Sequence, residues 1–522
     1  MAHQQPPASP DQATPWEYHA RKDKFYSRDK RYPHLRPSPS PSPVISNPRN
    51  KSTAKGRGHL PSVEFIYPAP VSSGRQSGLA PAVFNLCATI LGGGVLSLPY
   101  TFAQLGWGLG LVTLIAVALV SDFALYILCS CARRSGMPSY VEVAKHAFGK
   151  KGGQLITIML AVFILFVVVA YQVLIRDIAS GIVEFFLGYD LDMDGRNKVL
   201  YVCVLMIAPL CFFKSLHALR YTCYLGFAAV CLLVGSLVYL GWAFNRAEPS
   251  LWATYARPAE ASVADFFYVL PILAVSYVCQ FNMLSVHSQL KHPTRGRMKT
   301  TIHLAIGLAT LIYAVGAMAG YSCAYMDTNE NIFNNFEPSN KLLLVGRCGL
   351  FVTLLCNTPM MVLPCRESAL LLVDDAAAAL RALCCGCCGP RLEKTQLLGQ
   401  ESQDYSAEAA DSFDDGSQRQ LGEGGGGGCG GAVRHVAFTV LILGLALYLA
   451  VCIPGVAVVW SIAGSTMGLV LAFVLPAACY LKIRWQKKNN LVKKGAMVLL
   501  IGSIAFTVFC SYQSIGHALS EN

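Results

Sequence analysis

The chain has 522 residues, of which 54% are hydrophobic and 14% charged, and its formal net charge is +12 at pH 7. This composition excludes an ordinary soluble domain, because long apolar runs separated by short charged patches indicate a helical protein that crosses a membrane many times. The positive charge is concentrated in particular loops and in the N-terminal tail, which indicates topology determinants rather than nucleic-acid binding. Most of the 20 cysteines lie within apolar runs, where cysteine acts as a small hydrophobic residue.

Residues 1–77 are poor in apolar side chains and rich in Pro, Ser, Lys and Arg, including PSPSPSP at Pro37–Pro43. This composition predicts a disordered tail that is either phosphorylated or a simple solvated spacer. The polar start shows no cleavable signal peptide, so we expect the first membrane span to act as its own signal.

Eleven membrane spans follow the tail, each predicted from an apolar run near the length of about 20 residues that a bilayer requires. In chain order, spans one to eleven are Leu79–Leu105, Trp107–Cys131, Gln154–Ile175, Val199–Phe213, Tyr221–Phe244, Phe266–Val286, Thr301–Cys323, Lys341–Val373, Val433–Ile453, Val456–Leu481 and Gly495–Ser514. Span four is short and has Pro209 near its end, so the count depends most on this span.

Charge alternates along the loops between these spans. The loops after spans two, four, six and ten carry lysine and arginine, whereas the loops after spans three and seven are acidic. Because lysine and arginine favour the cytoplasmic side, this alternation predicts a cytoplasmic N-terminus. With an odd number of spans, the C-terminus is then expected on the far side. We expect a multi-pass protein of the plasma membrane or of a vacuolar or lysosomal membrane.

A long insert, residues 374–432, separates spans eight and nine. It contains an acidic stretch, a glycine run at Gly424–Gly428 and two cysteine pairs, Cys384–Cys385 and Cys387–Cys388. We expect a disordered cytoplasmic segment that, like the tail, could bind regulatory proteins. The position of the cysteines just beyond a helix end favours reversible S-acylation, with an incidental cluster as the alternative. Their spacing is too tight for the usual zinc site.

Span one is interrupted by three consecutive glycines, Gly92, Gly93 and Gly94, within the run NLCATILGGGVLSLPY at 85–100. Each glycine costs a helix about 1 kcal/mol relative to alanine, so the helix is expected to open there. Open backbone within a membrane persists only where it is buried in protein or lines a wet cavity, and transporters use such breaks to bind zwitterions and cations. The alternative is a close helix–helix contact, which small residues also allow.

Span six shows a second predicted interruption. Pro271 removes a helix hydrogen bond, and Ser276, Tyr277, Gln280 and Asn282 place polar groups within the membrane. Such groups are costly there and usually face a cavity, although the first two could instead bond a neighbouring helix. Spans one and six are five apart, as are the first helices of two five-helix inverted repeats, so both are predicted to be broken helices.

Candidate ligands for a coupling cation lie in span eight. Thr353 and Asn357 are four residues apart and share one helix face, where their oxygens could bind a cation or a neighbouring helix. Tyr171 and Gln172 in span three are further candidates for the cavity wall.

Few titratable groups lie at membrane depth. Asp122 and Asp177 are the carboxylates available for a proton, and Asp177 could simply pair with Arg176. The histidines near the spans are expected at loops or helix ends, so no constellation for an intramembrane enzyme is predicted. These histidines are His217, His287, His303, His435 and His517. We expect no enzyme activity, no metal and no cofactor other than a coupling ion, Na⁺ or H⁺.

Three stretches resemble the amino acid/auxin permease family. The first helix of that family is similar to FNLCATILGGGVLSLPYTFAQLGWGLG at 84–110. The sixth helix and following loop of its sodium-coupled neutral amino acid transporter branch are similar to PILAVSYVCQFNMLSVHSQLKHPTRGRM at 271–298. The loop between its second and third helices is similar to SYVEVAKHAFGKKG at 139–152. Apart from the insert, the resemblance covers Gly78 to Tyr480. It implies an all-α fold on the bacterial leucine transporter plan, with a 5+5 inverted repeat plus one extra helix, an amino acid substrate and secondary transport.

Two positions depart from the sodium-coupled branch. That branch has an asparagine four residues before the first glycine, where this chain has Ala88, and a histidine in the sixth helix, where this chain has Gln280. A side-chain ligand for sodium is therefore missing. We expect proton coupling or exchange rather than sodium symport, with Thr353 and Asn357 as the ligands if sodium is used.

The sequence therefore predicts a transporter that moves amino acids by alternating access, with an amino-acid-sensing receptor as the alternative. We expect the backbone amides at the glycines to bind the carboxylate of the substrate, and carbonyls of spans one and six to bind its ammonium group. The predicted substrate-binding residues are Thr89, Leu91, Gly92, Gly93, Gly94, Ala274, Ser276, Tyr277 and Gln280, and the predicted ion-coupling residues are Ala88, Thr353 and Asn357. The expected partners are the amino acid, membrane lipid and regulatory proteins.

Overall fold

The structure is a computed structural model that describes residues 77–213, 222–248, 250–259, 261–337, 340–384, 429–485 and 490–520. Helices dominate these residues. In chain order they are α1 (Leu79–Ile90), α2 (Leu98–Leu105), α3 (Trp107–Ser135), α4 (Tyr140–Leu187), α5 (Met193–Cys211), α6 (Thr222–Ala247), α7 (Ser250–Tyr255), α8 (Val263–Val275), α9 (Gln280–Gln289), α10 (Arg295–Ala324), α11 (Lys341–Cys384), α12 (Cys429–Cys452), α13 (Val456–Ala463), α14 (Leu475–Ile483) and α15 (Leu491–Ser520).

Each of the eleven predicted spans contains helix, which confirms a multi-pass helical membrane protein. Within the described residues, nine helical segments are long and apolar enough to cross a membrane. Span one is not among the nine, because its break leaves the apolar helix α1 with only 12 residues. Span four, which forms α5, is not among them either. The total of eleven crossings remains a prediction.

Several helices extend beyond the predicted spans. α4 begins after Ser139, which forms a capping box with Glu142, and bends at Gly149, where φ is 75°. The stretch at 139–152 that resembles a loop is therefore largely helical here. α11 continues past the predicted end of span eight to Cys384, so the first part of the predicted insert is helical. Cys385, Cys387 and Cys388, the glycine run and residues 1–76 lie outside the described residues, whereas α12 begins at Cys429 within the predicted insert.

The loops gather on two faces, as the charge alternation requires. On what we name the basic face, which carries the loops after spans two, six and ten, Nη2 of Arg133 donates to the carbonyl oxygen of Pro293 at 2.9 Å. On the opposite face, Nδ2 of Asn331, in the loop after span seven, lies 3.5 Å from Oδ2 of Asp177 in span three. These two contacts agree with the predicted alternation for the loops after spans two, six and seven.

The start of span one pairs with the end of span six through an isolated parallel bridge. The N–H of Ser77 donates to the carbonyl of Gln289 at 3.0 Å, and the N–H of Lys291 donates to the carbonyl of Ser77 at 2.8 Å. Two points of a chain lie on the same side of the membrane only when an even number of crossings separates them. The bridge therefore agrees with six crossings from span one to span six, span four included.

Two buried arginines join spans three, four, eight and nine. Arg176 in α4 is 1% exposed, and its Nη1 donates to the carbonyl of Ala450 at 2.9 Å. Arg366 in α11 is 2% exposed, and its Nη1 donates to the carbonyl of Cys211 at 2.8 Å and to Oγ1 of Thr439 at 3.0 Å. Because a buried charge is costly unless its donors are satisfied, these bonds fasten the four spans into one scaffold.

Candidate functional site

The predicted opening of span one is present at the glycines. α1 ends at Ile90, and Gly92 is extended, with φ of −116° and ψ of −154°. Gly93 and Gly94 then begin a short 3-10 turn, so their N–H groups have no partner within that turn. The carbonyl end of α1 and the N–H groups that precede α2 therefore face the same interruption.

Span six is interrupted between α8 and α9, at residues 276–279. The N–H of Cys279 donates to Oε1 of Gln280 at 3.0 Å, and Nε2 of Gln280 donates to the carbonyl of Ala472 in span ten at 3.3 Å. Gln280 is only 1% exposed. Its amide therefore bonds backbone groups, which fixes the end of the break against span ten.

The two breaks touch each other, and one tyrosine bonds both. A Cβ atom placed on Gly94 would lie 2.8 Å from Oγ of Ser276, which leaves room there only for glycine. Tyr313 in α10 is fully buried. Its hydroxyl lies 2.6 Å from the carbonyl oxygen of Ile90 and 3.0 Å from that of Ser276, so it can donate to the last turn of α1 or to the break of span six. Tyr313 thus positions the two breaks relative to each other.

A second tyrosine closes the wall beside this contact. The hydroxyl of Tyr277 donates to Oγ1 of Thr310 at 3.0 Å, and its ring packs edge-on against Tyr313 with ring centroids 5.5 Å apart. Thr310 and Tyr313 are three residues apart on α10, so they lie on one face of span seven, and this face contacts both breaks. Our sequence analysis missed this face, although a threonine and a tyrosine at helical spacing in an apolar span are a visible signal.

Span three covers the glycines from the other side. A Cβ atom on Gly92 would lie 3.9 Å from the hydroxyl of Tyr171, and one on Gly93 would lie 2.7 Å from Cδ1 of Leu174. Tyr171 therefore lies beside the break, and its role in a cavity wall remains a prediction, whereas the contact of Leu174 was not anticipated. Gln172 is fully buried.

The predicted site residues differ in accessibility. Ala88, Thr89, Gly92 and Gly94 are partly exposed, whereas Leu91, Gly93, Ala274, Ser276, Tyr277 and Gln280 are buried. A polar cluster continues from the exposed positions towards the basic face. There Nδ2 of Asn282 donates to Oγ1 of Thr89 at 2.6 Å and lies 3.5 Å from Oδ1 of the exposed Asn85. This cluster joins α1 to α9, the halves of spans one and six that end at the basic face.

The span-eight candidates do not all face the breaks. Oγ1 of Thr353 donates to the carbonyl of Gly349 in its own helix at 2.8 Å, and its methyl group packs against span five, where a Cβ atom on Gly226 would lie 2.9 Å away. Asn357 is partly buried. The hydroxyl of Thr353 is therefore bonded within α11, and its role as an ion ligand remains a prediction.

A carboxylate and an imidazole meet between spans two and seven. Nδ1 of His303 lies 2.5 Å from Oδ1 of Asp122, whose side chain is 17% exposed. The expectation that His303 lies at a helix end is wrong, because α10 begins at Arg295 and places His303 in its third turn. Asp177 instead lies 3.5 Å from Nε of Arg176, the pairing expected for it. Ionisable groups inside a membrane span are costly, which makes this pair a candidate for a functional role.

Span ten departs from the uninterrupted helix that its sequence predicts. Two π-helical stretches, Gly464–Gly468 and Val470–Val474, separate α13 from α14. A Cβ atom on Gly464 would lie 2.7 Å from the carbonyl oxygen of Pro271, so α8 packs directly on this widened turn. π-helical turns often occur at functional sites, and the second stretch contains Ala472, whose carbonyl accepts from Gln280.

Comparisons with known proteins find similarity over most of the chain. The model of the family described as transmembrane amino acid transporter protein matches residues 75–519. Amino acid transporter AVT6E of Arabidopsis thaliana is 27% identical over 327 residues, which cover 59% of this chain and 66% of the relative. Vacuolar amino acid transporter 5 of Schizosaccharomyces pombe is 30% identical over 304 residues, which cover 58% of this chain and 71% of the relative. Putative sodium-coupled neutral amino acid transporter 11 of Danio rerio is 22% identical over 457 residues, which cover 84% of this chain and 89% of the relative.

Two solved structures are also similar in shape. One is Mhp1, a nucleobase-cation-symport-1 family transporter in a closed conformation, with a TM-score of 0.48, 10% identity and coverage of 86% of this chain and 91% of Mhp1. The other is MhsT in complex with L-phenylalanine, with a TM-score of 0.48, 11% identity and coverage of 83% of this chain and 98% of MhsT.

Proposed function

The chain belongs to the transmembrane amino acid transporter protein family, and we propose that it carries neutral amino acids across a membrane by alternating access. The substrate class is supported by the names of relatives, which include amino acid transporters and a putative sodium-coupled neutral amino acid transporter. The observation that carries the mechanism is the contact between two helix breaks, bonded by Tyr313.

The breaks offer complementary groups to an amino acid. The N–H groups of Gly93 and Gly94 lie at the positive N-terminal end of a half-helix and would bind the carboxylate. The carbonyl ends of α1 and α8, near Ala88, Thr89 and Ala274, carry the opposite partial charge and would bind the ammonium. An α-amino acid presents both charges on one carbon, so its backbone fits between two such ends.

The side-chain pocket would be apolar and aromatic. Tyr171, Leu174 and Tyr277 surround the breaks, and Tyr277 has its hydroxyl occupied by Thr310. No charged side chain lies among these residues. This lining favours neutral side chains, which agrees with the substrate class named for the Danio rerio relative.

Alternating access would use the division of spans one and six into halves. The basic-face halves, α1 and α9, are joined by Asn282 and Thr89, so they would tilt together against the scaffold of spans three, four, eight and nine. The residues at 91–97 and 276–279 would serve as hinges, because neither stretch is α-helical. Tyr313 would release one carbonyl and keep the other as the halves move.

Proton coupling is the mode that the side chains favour. Asp122 and His303 form a hydrogen-bonded pair between spans two and seven, in which the His303 side chain is 47% exposed. In contrast, Ala88 offers no side-chain oxygen and the hydroxyl of Thr353 is bonded within its helix. A hard cation such as sodium needs several oxygens at short range. Sodium symport through Thr353 and Asn357 is the alternative.

The orientation of the protein is inferred from the charge of its loops, and the membrane in which it lies from the names of its relatives. The basic face would be cytoplasmic, which places the tail and the insert where regulatory proteins and acylating enzymes act. One relative is named a vacuolar transporter, so a vacuolar or lysosomal membrane stands beside the plasma membrane as the location.

Flux in proteoliposomes tests the proposed function. Purified full-length protein should accelerate the entry of labelled neutral amino acids into vesicles above the rate in protein-free vesicles. A screen of single labelled amino acids would identify the substrate. Saturable binding with no flux for any amino acid would contradict the proposal and support a receptor that senses amino acids.

A further inference from the structure

The first turns of α4, residues 140–148, form a segment of their own at the basic face, which we name the leading segment. It precedes the predicted start of span three, and the bend at Gly149 separates it from the rest of the helix. Its outer side is exposed at Lys145 and His146. Its inner side is buried at helical spacing, by Tyr140, Val143, Ala144 and Ala147. The leading segment therefore packs on the bundle as a separate amphipathic helix.

One hydroxyl connects the leading segment to span ten. Tyr140 is 5% exposed, and its hydroxyl donates to the carbonyl of Leu471 at 2.5 Å. Leu471 lies in the second π-helical stretch, next to Ala472, whose carbonyl accepts from Nε2 of Gln280. Two adjacent carbonyls of one widened turn therefore accept hydrogen bonds from the leading segment and from the break of span six.

The carbonyl of Leu471 has no backbone donor within span ten, which the structure describes in full. In an α-helix it would accept from the N–H of Leu475, but that N–H donates to Val470, five residues earlier. In a continued π-helix it would accept from residue 476, which is a proline and has no N–H. Because a buried carbonyl without a donor is costly, the phenol of Tyr140 supplies a bond that the helix itself does not.

The bond from Tyr140 therefore stabilises one of two registers of this turn. Without the phenol, the nearest backbone donor for Leu471 is the N–H of Leu475. Moving that N–H from Val470 to Leu471 would convert the turn from the π to the α register. The shift would remove the extra residue of the turn and would reorient the neighbouring carbonyl of Ala472.

The carbonyl of Ala472 leads from this turn to the break of span six. Gln280 is 1% exposed, and its side-chain amide donates to Ala472 while accepting from the N–H of Cys279 within the break. A displaced Ala472 would leave Nε2 of Gln280 without that acceptor in a buried site, so the amide would turn and its bond to Cys279 would weaken.

We infer that Tyr140 is a positioning residue for the break of span six, acting through the π-helical turn of span ten and Gln280. The leading segment at the basic face thereby controls the hinge at 276–279. This inference rests on the proposed function, in which that hinge moves during transport.

Hydrogen exchange tests this connection in full-length protein in nanodiscs, without any amino acid. Tyr140→Phe should speed exchange of the Cys279 amide about tenfold, the equivalent of losing one buried hydrogen bond. Tyr201→Phe, at an exposed tyrosine of α5, is the matched control and should exchange as wild type does. Unchanged exchange in Tyr140→Phe would overturn the inference.

Two further variants separate a bond through span ten from simple packing. Gln280→Leu removes the acceptor of the Cys279 amide, so adding Tyr140→Phe to it should change exchange by less than about twofold. Pro476→Ala supplies the N–H that a continued π-helix would give to Leu471, and it should restore slow exchange in Tyr140→Phe. Full additivity with Gln280→Leu, or no restoration by Pro476→Ala, would mean that Tyr140 acts through packing and would overturn the inference.

Flux in proteoliposomes provides the second readout. Tyr140→Phe should lower the maximal rate of amino acid flux about tenfold, and Pro476→Ala should restore most of it. No flux in wild type would contradict the proposed function, and hydrogen exchange would still decide whether Tyr140 positions the break. Faster exchange with normal flux in Tyr140→Phe would show that this bond does not control the hinge during transport, and would overturn the inference.

Discussion

Tyr313 has one hydroxyl proton and two carbonyl acceptors, one in each broken span. Leaving a buried carbonyl without a donor costs about 1–3 kcal/mol, so the balance between the two acceptors affects the arrangement of the breaks directly. The residue is a positioning residue in our account, since it bonds the backbone that would hold the substrate.

Replacing Tyr313 by phenylalanine should reduce the rate of amino acid flux about tenfold to hundredfold, the equivalent of losing one such buried bond. The ring is kept, so the packing against Tyr277 should persist. Tyr448→Phe, at an exposed tyrosine of span nine, is the matched control and should transport normally. Normal flux in Tyr313→Phe at equal protein abundance would show that the hydroxyl does not position the breaks.

Asp122 and His303 form the pair through which a proton would be carried. Replacing sodium by choline at fixed pH should leave most uptake intact, and in the absence of sodium the uptake should follow the pH gradient. Asp122→Asn should abolish that response to pH, and His303→Gln should weaken it. Loss of most uptake in choline would contradict proton coupling and would direct attention to Thr353 and Asn357 as sodium ligands.

At the scale of elements, the break in span one is the feature most sensitive to substitution. A Cβ atom on Gly93 already approaches Leu174 closely, and the branched side chain of valine would enlarge the clash and resist the turn. Gly93→Val should therefore abolish flux while abundance in the membrane stays near normal. Gly444→Val, in open space on span nine, is the control and should transport normally. Normal flux in Gly93→Val would contradict a functional break at this glycine.

The breaks could be predicted because their cause is local. Three adjacent glycines weaken a helix wherever it packs, and span one opens at them. In span six α8 continues through Pro271, and the interruption at 276–279 lies among the polar residues that the sequence indicated. The π-helical turns of span ten have no such local cause. They depend on the contact between Gly464 and α8, and on bonds to carbonyls from side chains far away in the chain. A single sequence does not show which distant groups will meet.

The same distinction between local causes and contacts distant in the chain explains why the roles of Tyr313 and Gln280 could not be predicted. Tyrosines are frequent in the apolar spans, and only the folded chain shows that Tyr313 reaches both breaks. Gln280 was predicted to face the substrate because polar groups are costly in a membrane. The structure satisfies that requirement with the backbone of Cys279 and Ala472. Polarity in a span thus predicts a partner without identifying it.

At the scale of the whole molecule, the predicted odd number of crossings places the two termini on opposite faces of the membrane. Tags at Gly78 and within Gly424–Gly428 should be protected from reagents applied to the non-cytoplasmic face, whereas a tag after Asn522 should react. A protected C-terminal tag would mean that the span count is wrong by one. Span four would then be the first to re-examine, although the bridge between Ser77 and Leu290 supports its crossing.

The central claim is that an amino acid binds between the two breaks, and the most direct measurement is a structure of the full chain in a lipid nanodisc with the transported amino acid bound. We predict that its carboxylate lies about 2.7–3.2 Å from the backbone nitrogen of Gly93 or Gly94. Its ammonium should face the carbonyl ends of α1 and α8. An amino acid bound elsewhere in the bundle, with no contact to either break, would contradict the account.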